Sequence, residues 1–293
     1  MSAGSCGSYG SSHSARKTQS IKGSIDSGYN ISKLLGKGAF GKVYKAERIC
    51  DEKDVAVKMI PMKHKETCAN EVSMLKMLPD HPNLGGFIEV FEDDSYIYIV
   101  LEYIEGQNLY EYLKPHLGKK IEEIPQILLI LQQMIAAIAA IHSVGIFHRD
   151  IKLENFMITS MDGKPVVKLI DFGLSELIGE ISTRMVGSPL WMAPEVIREG
   201  KKLPICEKAD IWSFGIILLE LFLGQPPIDY QDIQQTMFTI ATLTSPPIPE
   251  KLADDGTAVG IWVRSIATLC LQIDPVQRQS AEKLVMLSQT CSF

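Results

Sequence analysis

None of the six cysteines stands in a Cys-x-x-Cys pair. Cys6, Cys50, Cys68, Cys206, Cys270 and Cys291 are scattered through 293 residues. That distribution suggests neither a zinc site nor a disulfide framework and fits thiols in a reducing compartment. Positive charge is in short supply: 29 Lys and Arg against 35 Asp and Glu leave a net charge of −6, which argues against a nucleic-acid-binding surface. Met1 to Ser20 has no apolar central run, so no secretory leader is expected, and Ser2 stands where N-myristoylation requires glycine. The most apolar run, Ile124 to Ile141, is interrupted by Gln132-Gln133 and followed at once by His142 to Asp150. It reads as a buried core helix and not as a membrane span. No internal repeat is evident. A cytoplasmic chain with access to the nucleus is expected. With 46% hydrophobic and 22% charged residues, it can bury a sizeable core as one large domain or two lobes.

Residues 1–26 are rich in Ser and Gly without periodicity, and a disordered tail is expected there. From Tyr29 the pattern alternates at period two. Tyr29 to Leu35 and Val43 to Glu47 read as strands, with Gly36-Lys37-Gly38-Ala39-Phe40-Gly41-Lys42-Val43 joining them. A dinucleotide fingerprint would open a helix after its glycines, and a Walker loop needs Gly-Lys-Ser/Thr; a hairpin fits neither. Positions without side chains would let backbone N–H groups approach phosphates, with Phe40 capping the tip. Taken alone, the segment could equally be an ordinary Gly-rich turn.

In Asp54 to Ile60 a single lysine, Lys58, sits inside an apolar strand. A buried ammonium is costly unless paired. Its candidate partner is Glu71, on a helix expected over Glu66 to Leu78 with Val72, Leu75 and Leu78 at helical spacing. Glu66 is the nearby rival. His81-Pro82-Asn83 ends that helix, and a hairpin over Phe87 to Glu92 and Tyr96 to Leu101 turns at Asp93-Asp94-Ser95.

The richest stretch runs from Phe147 to Gly173 and holds Asp150, Asn155 and Asp171. Two short strands, Asn155 to Ser160 and Pro165 to Ile170, are expected to pair through a turn at Met161-Asp162-Gly163. Asn155 would then face Asp171 across a gap suited to a hard cation such as Mg²⁺. Asp150 is left to accept a proton from an attacking hydroxyl.

His148-Arg149-Asp150 with Asn155, then Asp171-Phe172-Gly173, resembles the catalytic loop and metal-binding segment of the protein kinase family. The Gly loop, Lys58, Glu71, Ala193-Pro194-Glu195, Asp210 and Arg278 extend the resemblance, in order, over about residues 29–291. It implies an α+β bilobal fold: a kinase domain over 27–293, with a small antiparallel β lobe (27–103) carrying one helix and a larger, mainly helical lobe (104–293). The implied activity is transfer of the ATP γ-phosphate to Ser or Thr hydroxyls of protein substrates, within a signalling cascade. The implied cofactors are ATP with Mg²⁺, or Mn²⁺ in its place. ATP-contacting positions would be Leu35, Gly36, Lys37, Gly38, Ala39, Phe40, Gly41, Val43, Ala56, Lys58, Leu101, Glu102, Ile104, Asn108 and Met157, with Leu101 as gatekeeper. Asn155 and Asp171 would hold the metal, Asp150 would be the base, and Glu71 would orient Lys58. Lys152 follows the serine/threonine-kinase pattern.

Three positions depart from the family's usual residues. Leu153 replaces a proline, Asn108 an acid that contacts the ribose, and Ser188 a threonine. Ser188 is expected to bridge Asp150 and Lys152. Ser182 and Thr183 are the candidate phosphosites, with Arg149 as receiver of the phosphate, added by an upstream kinase or by a second copy in trans. Asp210 would cap a buried helix and hold the catalytic loop, and Arg278 would pair with Glu195. Within the family, the Gly187 to Glu195 segment looks most like the Ste20/MAP-kinase-cascade branch. No regulatory domain is expected after the final helix. The competing readings are a pseudokinase, in which case a catalytic group should be missing; a tyrosine-specific kinase, which Lys152 disfavours; and another nucleotide-binding protein, which the strand after the Gly loop disfavours.

Overall fold

Period-two alternation over residues 29–61 yields strands, and their shared apolar face builds the first core. The computed structural model describes residues 21–22, 25–38, 41–118, 126–180, 186–199, 206–229, 232–249 and 258–289. The chain divides into two compact units, Met1–Val72 with Gly86–Tyr103 and Ser73–Gly85 with Ile104–Phe293. Residues 73–85 group with the second unit, which resumes at Ile104. The reason is hydrogen bonding: Leu169 N donates to Asn83 O and Gly85 N to Leu169 O, each at 2.9 Å.

In the first unit, β1 (Ile21–Lys22), β2 (Tyr29–Lys37), β3 (Lys42–Arg48), β4 (Lys53–Pro61), β5 (Phe87–Glu92) and β6 (Tyr96–Glu102) form one sheet in the order β1-β5-β6-β4-β3-β2. All pairings are antiparallel except β1 with β5. Val55 and Val57 of β4 point to the same face as Ala46, Tyr98 and Val100 and pack with Ile25, Tyr29 and Phe91. Tyr29, Phe91 and Tyr98 stack in series, with ring centroids 5.9 and 4.9 Å apart. Of the residues expected in a disordered tail, 21–22 and 25 belong to this unit instead, because β1 pairs with β5 and Ile25 is part of this core; residues 1–20 lie outside the described residues. Between β5 and β6, Asp93 Oδ1 accepts from Ser95 N and Tyr96 N, both at 2.7 Å, and fixes the turn. The helix α1 (Lys65–Met77) follows β4 and carries Glu71.

In the second unit, β7 (Gln107–Asn108) leads into α2 (Leu109–Leu113). Then come α3 (Ile127–Ser143), β8 (Ile146–Phe147), β9 (Phe156–Met161), β10 (Lys164–Leu169) and β11 (Glu176–Leu177). The unit is completed by α4 (Pro194–Glu199), α5 (Lys208–Leu223), α6 (Ile233–Ala241), α7 (Ala258–Cys270) and α8 (Ala281–Gln289). The strands pair as β10-β9-β7 and β11-β8. The β9–β10 turn is the two residues Asp162 (φ 50°) and Gly163 (φ 75°), the double positive φ of a tight hairpin. The long helix begins at Ile127 because Gln126 is left-handed at φ 55°; the first residues of the apolar run expected from Ile124 lie outside the described residues. The two glutamines in its apolar run are ties to neighbours. Gln133 Oε1 accepts from Asn83 Nδ2 (2.8 Å) and Val167 N (2.9 Å), its Nε2 donates to Pro165 O, and Gln132 Nε2 donates to Ser288 O.

Buried on every side from Ala209 to Leu221, α5 is apolar all round, as a central helix should be. Gly215 in its middle is a close-packing position: a Cβ there would lie 2.7 Å from Cys270 Cβ and 2.8 Å from Leu271 Cγ. Alanine gains about 1 kcal/mol in helix propensity over glycine, but overpacking a tight core costs about 1–3 kcal/mol, and Cys270 Cβ cannot swing away. Gly215→Ala is therefore expected to destabilise the protein by about 1 kcal/mol or more, lowering its thermal midpoint. An unchanged or raised midpoint would show that α5 and α7 can part without cost.

Candidate active site

In the first unit, the strand register brings one group of candidate residues together. Val43 pairs with Gly36 on one side and with Lys58 on the other, so the Gly loop flanks the lysine strand. Gly38 N donates to Gly41 O at 2.8 Å and closes the hairpin end. Gly41 has to be glycine, since a Cβ there would collide with Met59 O. Lys37 and Leu35 are exposed on β2, and Ala39 and Phe40 lie outside the described residues. Lys58 Nζ meets Glu71 Oε1 at 2.5 Å, with side-chain exposures of 12% and 5%. Glu71 thus wins over Glu66, which is exposed. Ala56 pairs with Leu101 and Val55 with Glu102. Glu102 is held to Gly86 twice, by its own N–H to Gly86 O at 2.8 Å and by its Oε2 from Gly86 N at 3.0 Å.

The second unit carries a separate group of candidate residues. Ile104 lies in the link leading to β7, and Asn108 on β7 pairs with Met157 on β9. The side chain of Asn108 caps α2, accepting from Glu111 N at 2.9 Å. Its oxygen is therefore engaged in capping the helix.

The loop after β8 is fixed from below by Asp210. Its Oδ2 accepts from His148 N (2.7 Å) and His142 Nε2 (2.9 Å), and its Oδ1 from Arg149 N (2.9 Å). Burial pushes this carboxyl up, but the hydrogen bond and charge of His142, with the charge and backbone N–H of His148, win and hold it below the usual range. The expected hold on the loop is present; the expected helix cap is not. The N-cap of α5 is Glu207, and Asp210 lies within its first turn.

Asp150 is braced at both oxygens. Oδ1 accepts from Ser188 N (3.1 Å) and Ser188 Oγ (2.9 Å). Oδ2 accepts from Asn155 Nδ2 at 3.0 Å and pairs with Lys152 Nζ at 2.7 Å. Lys152 also donates to Ser188 Oγ at 2.9 Å, so Ser188 bridges Asp150 and Lys152 as expected. Ile170, the residue before Asp171, donates to Asn155 O at 2.9 Å, and its own carbonyl accepts from His148 Nε2 at 3.0 Å. Asn155 and Asp171 are thereby brought to neighbouring backbone positions. Arg149 (φ 71°) and Asp171 (φ 60°) both sit in the left-handed region that non-glycine residues rarely enter. Strain of this kind persists where surrounding bonds over-determine it. Ser182 and Thr183 lie outside the described residues.

The protein kinase domain family matches residues 29–288. The chain belongs to the protein kinase family. It is 32% identical over 260 residues to the serine/threonine-protein kinase CST20 of Candida albicans, covering 86% of this chain and 20% of that protein. With the serine/threonine-protein kinase STE20 of Saccharomyces cerevisiae it shares 32% over 259 residues, 86% of this chain and 26% of the other. With MAP3K epsilon protein kinase 1 of Arabidopsis thaliana the identity is 32% over 273 residues, 89% of this chain and 19% of the other. The kinase chain thus spans about a fifth to a quarter of the length of these relatives, which support the Ste20/MAP-kinase-cascade branch. The protein kinase family uses ATP with a divalent metal. Among the described residues no helix is long and apolar enough to cross a membrane.

Several supports of this kinase site escape a reading of the sequence. His142 is one. Another is the pair Trp191 and Glu220, joined through Trp191 Nε1 to Glu220 Oε2 at 3.1 Å, with Ser213 Oγ donating to Trp191 O at 2.7 Å. Arg278, by contrast, pairs as expected, reaching Glu195 through two bonds of 2.6 and 2.7 Å while fully enclosed.

Burial of Glu220, opposed by the Trp191 hydrogen bond and aided by the negative charge of Glu154, raises its pKa from 4.5 to about 7. A raised carboxyl favours the folded state below the unfolded value, and that contribution is lost as pH rises through the folded one. Stability should therefore fall by about 2–3 kcal/mol between pH 4.5 and 7 relative to Glu220→Gln. The check is a pair of urea titrations of both proteins across that range; parallel pH profiles would remove Glu220 as the cause.

Proposed function

We propose that this chain is a serine/threonine protein kinase, transferring the γ-phosphate of ATP to hydroxyls on protein substrates. The observation that carries the reading is the brace around Asp150. A carboxylate held by Ser188, Lys152 and Asn155 is fixed in orientation, as a base that receives a hydroxyl proton requires. Lys152 lies against it and can offset charge that develops on the transferring group. In the reaction the substrate oxygen bonds to the γ-phosphorus, the bridging bond to the β-phosphate breaks, and the hydroxyl proton passes to Asp150. Lys58, fixed by Glu71, is assigned to the α/β-phosphates, and the Gly36–Val43 hairpin to the phosphate chain through its backbone N–H groups.

The donor chemistry fits Mg²⁺. Asn155 spends its amide nitrogen on Asp150, and among the described residues its oxygen carries no hydrogen bond. Asp171 offers an exposed carboxylate one position from the Ile170 bond to Asn155. Among the described residues no cluster of three His, Cys, Asp or Glu could hold a metal by itself. That suits a hard cation that keeps waters and takes only one or two protein ligands beside phosphate oxygens. Bound there, Mg²⁺ or Mn²⁺ would neutralise phosphate charge. The Ste20-like relatives support a place in a cytoplasmic signalling cascade, where Ser182 or Thr183 would be phosphorylated by an upstream kinase or in trans to raise activity.

The test is transfer of labelled γ-phosphate from ATP to a generic protein substrate. Wild type should yield phosphoserine or phosphothreonine in the presence of Mg²⁺. Asp150→Asn should lose about 10²-fold or more in kcat, the usual share of a positioned base, with nucleotide binding retained. Equal rates for the two proteins would end the assignment of Asp150. Binding without transfer by wild type in every phosphorylation state would favour a binding module with no chemistry.

A further inference from the structure

Arg149, the residue expected to receive an activation-segment phosphate, already has an anion. Its guanidinium is ion-paired with Glu176, and the two side chains are only 5% and 19% exposed. The pairing is built by the backbone: in the two-stranded ladder, Glu176 stands opposite Phe147 and Leu177 opposite Ile146. That register carries the carboxylate to the strand end from which Arg149 leaves. Phe147 contributes its ring, 5.8 Å from the guanidinium carbon. A cation this far from water requires such partners.

We propose that Glu176 is a positioning residue for phosphoryl transfer, a built-in counter-ion that holds Arg149, and through it the catalytic loop, before any phosphate reaches the activation segment. The proposal rests on the kinase reading above. Arg149 is coupled to the reacting group on three sides. Its N–H is bound to Asp210, it precedes Asp150 in the chain, and its carbonyl packs against Gly187, where an added Cβ would lie 2.6 Å away. Gly187 in turn precedes Ser188, which donates twice to Asp150. A displacement of Arg149 therefore reaches Asp150 both along the loop and through the segment docked on it.

Here the carboxylate supplies one negative charge permanently, and an incoming phosphate of charge −1.5 to −2 has to share or displace it. Phosphorylation then adds the difference between two anions and not the whole effect of one. Arg149 acts on Asp150 and not on the nucleotide, so the effect falls on kcat.

The experiment compares full-length protein, treated with phosphatase and checked by mass spectrometry, with the same chain carrying genetically encoded phosphoserine at position 182. Wild type, Glu176→Asp, Glu176→Gln, Glu176→Lys and Asp150→Asn are assayed for phosphate transfer. Dephosphorylated wild type is expected to work within about threefold of the phosphorylated form. Without phosphate, Glu176→Gln and Glu176→Lys should lose about tenfold or more in kcat, with the KM for ATP nearly unchanged, the scale of one charge-assisted bond. Glu176→Asp should retain much of the rate. Phosphoserine at 182 should restore Glu176→Gln, a rescue that a merely structural role would not allow; if the lysine variant fails to fold, the glutamine variant carries the comparison. Dephosphorylated wild type that is silent until phosphorylated, or an unphosphorylated Glu176→Gln as fast as wild type, would overturn the proposal while leaving the kinase reading intact. No transfer by wild type in either state would overturn both.

Discussion

Asp210 is the constraint on which the catalytic unit depends. A carboxylate with 1% exposure is tolerable only when every lone pair in reach is used, and this one takes two backbone N–H groups and an imidazole. Because its helix is buried on all sides, the anchor cannot move without unpacking the core. Other parts hang from the same helix. Ser213 and Glu220 hold the two ends of Trp191, and Arg278, stacked over Trp212, reaches from Glu195 to Lys208 O. One apolar helix thus sets the coordinates of the loop and of the segment that docks on it.

What that scaffold supports is orientation. Phosphoryl transfer asks little covalent chemistry of the protein and much placement. Asp150 is placed by a lysine and an asparagine of its own loop and by a serine 38 residues further on, and Lys58 by a glutamate from α1. The left-handed backbone at Arg149 and Asp171 is the local cost of that placement. The bonds from Asp210 to the Arg149 N–H and from Ile170 to Asn155 are what keep it from relaxing. The Arg149–Glu176 pair belongs to the same outer ring of supports, one step removed from the reacting atoms.

Contiguous chemistry was legible in the sequence, and chemistry assembled across the fold was not. Lys58 was found because a charge inside an apolar strand violates its own pattern, and Glu71 because helical spacing turns it the same way as the core. The β9–β10 hairpin announced itself by Asp-Gly between alternating strands. Glu176, by contrast, lies on a strand of two residues, too short for any periodicity. Its meaning comes only from the register with β8. Gln133 looked like an interruption of an apolar helix, yet three tertiary bonds give it a purpose. Asp210 was read as both cap and anchor because a first-turn acid suits either role; only the distances separate them. Residues 73–85 could not be assigned to their unit, since Asn83 and Gly85 are bonded to strands 84 residues further on. Ile25 escapes the sequence because a lone apolar residue carries no pattern, although it is buried in the core of the first unit.

The departures from the family's usual residues follow one rule. Ser188 replaces threonine and keeps both hydroxyl-dependent bonds, to Asp150 and from Lys152, so only a methyl is lost. Leu153 replaces proline at a fully buried position, where an apolar side chain satisfies the same space. Asn108 replaces an acid and spends its oxygen on the N-cap of α2, which a carboxylate would also serve. Each exchange preserves a local bond or a packing volume, while the charge at position 108 is dropped. Geometry is thus held fixed while one charge is removed. In a reaction governed by placement, such a change leaves the bonds around Asp150 intact.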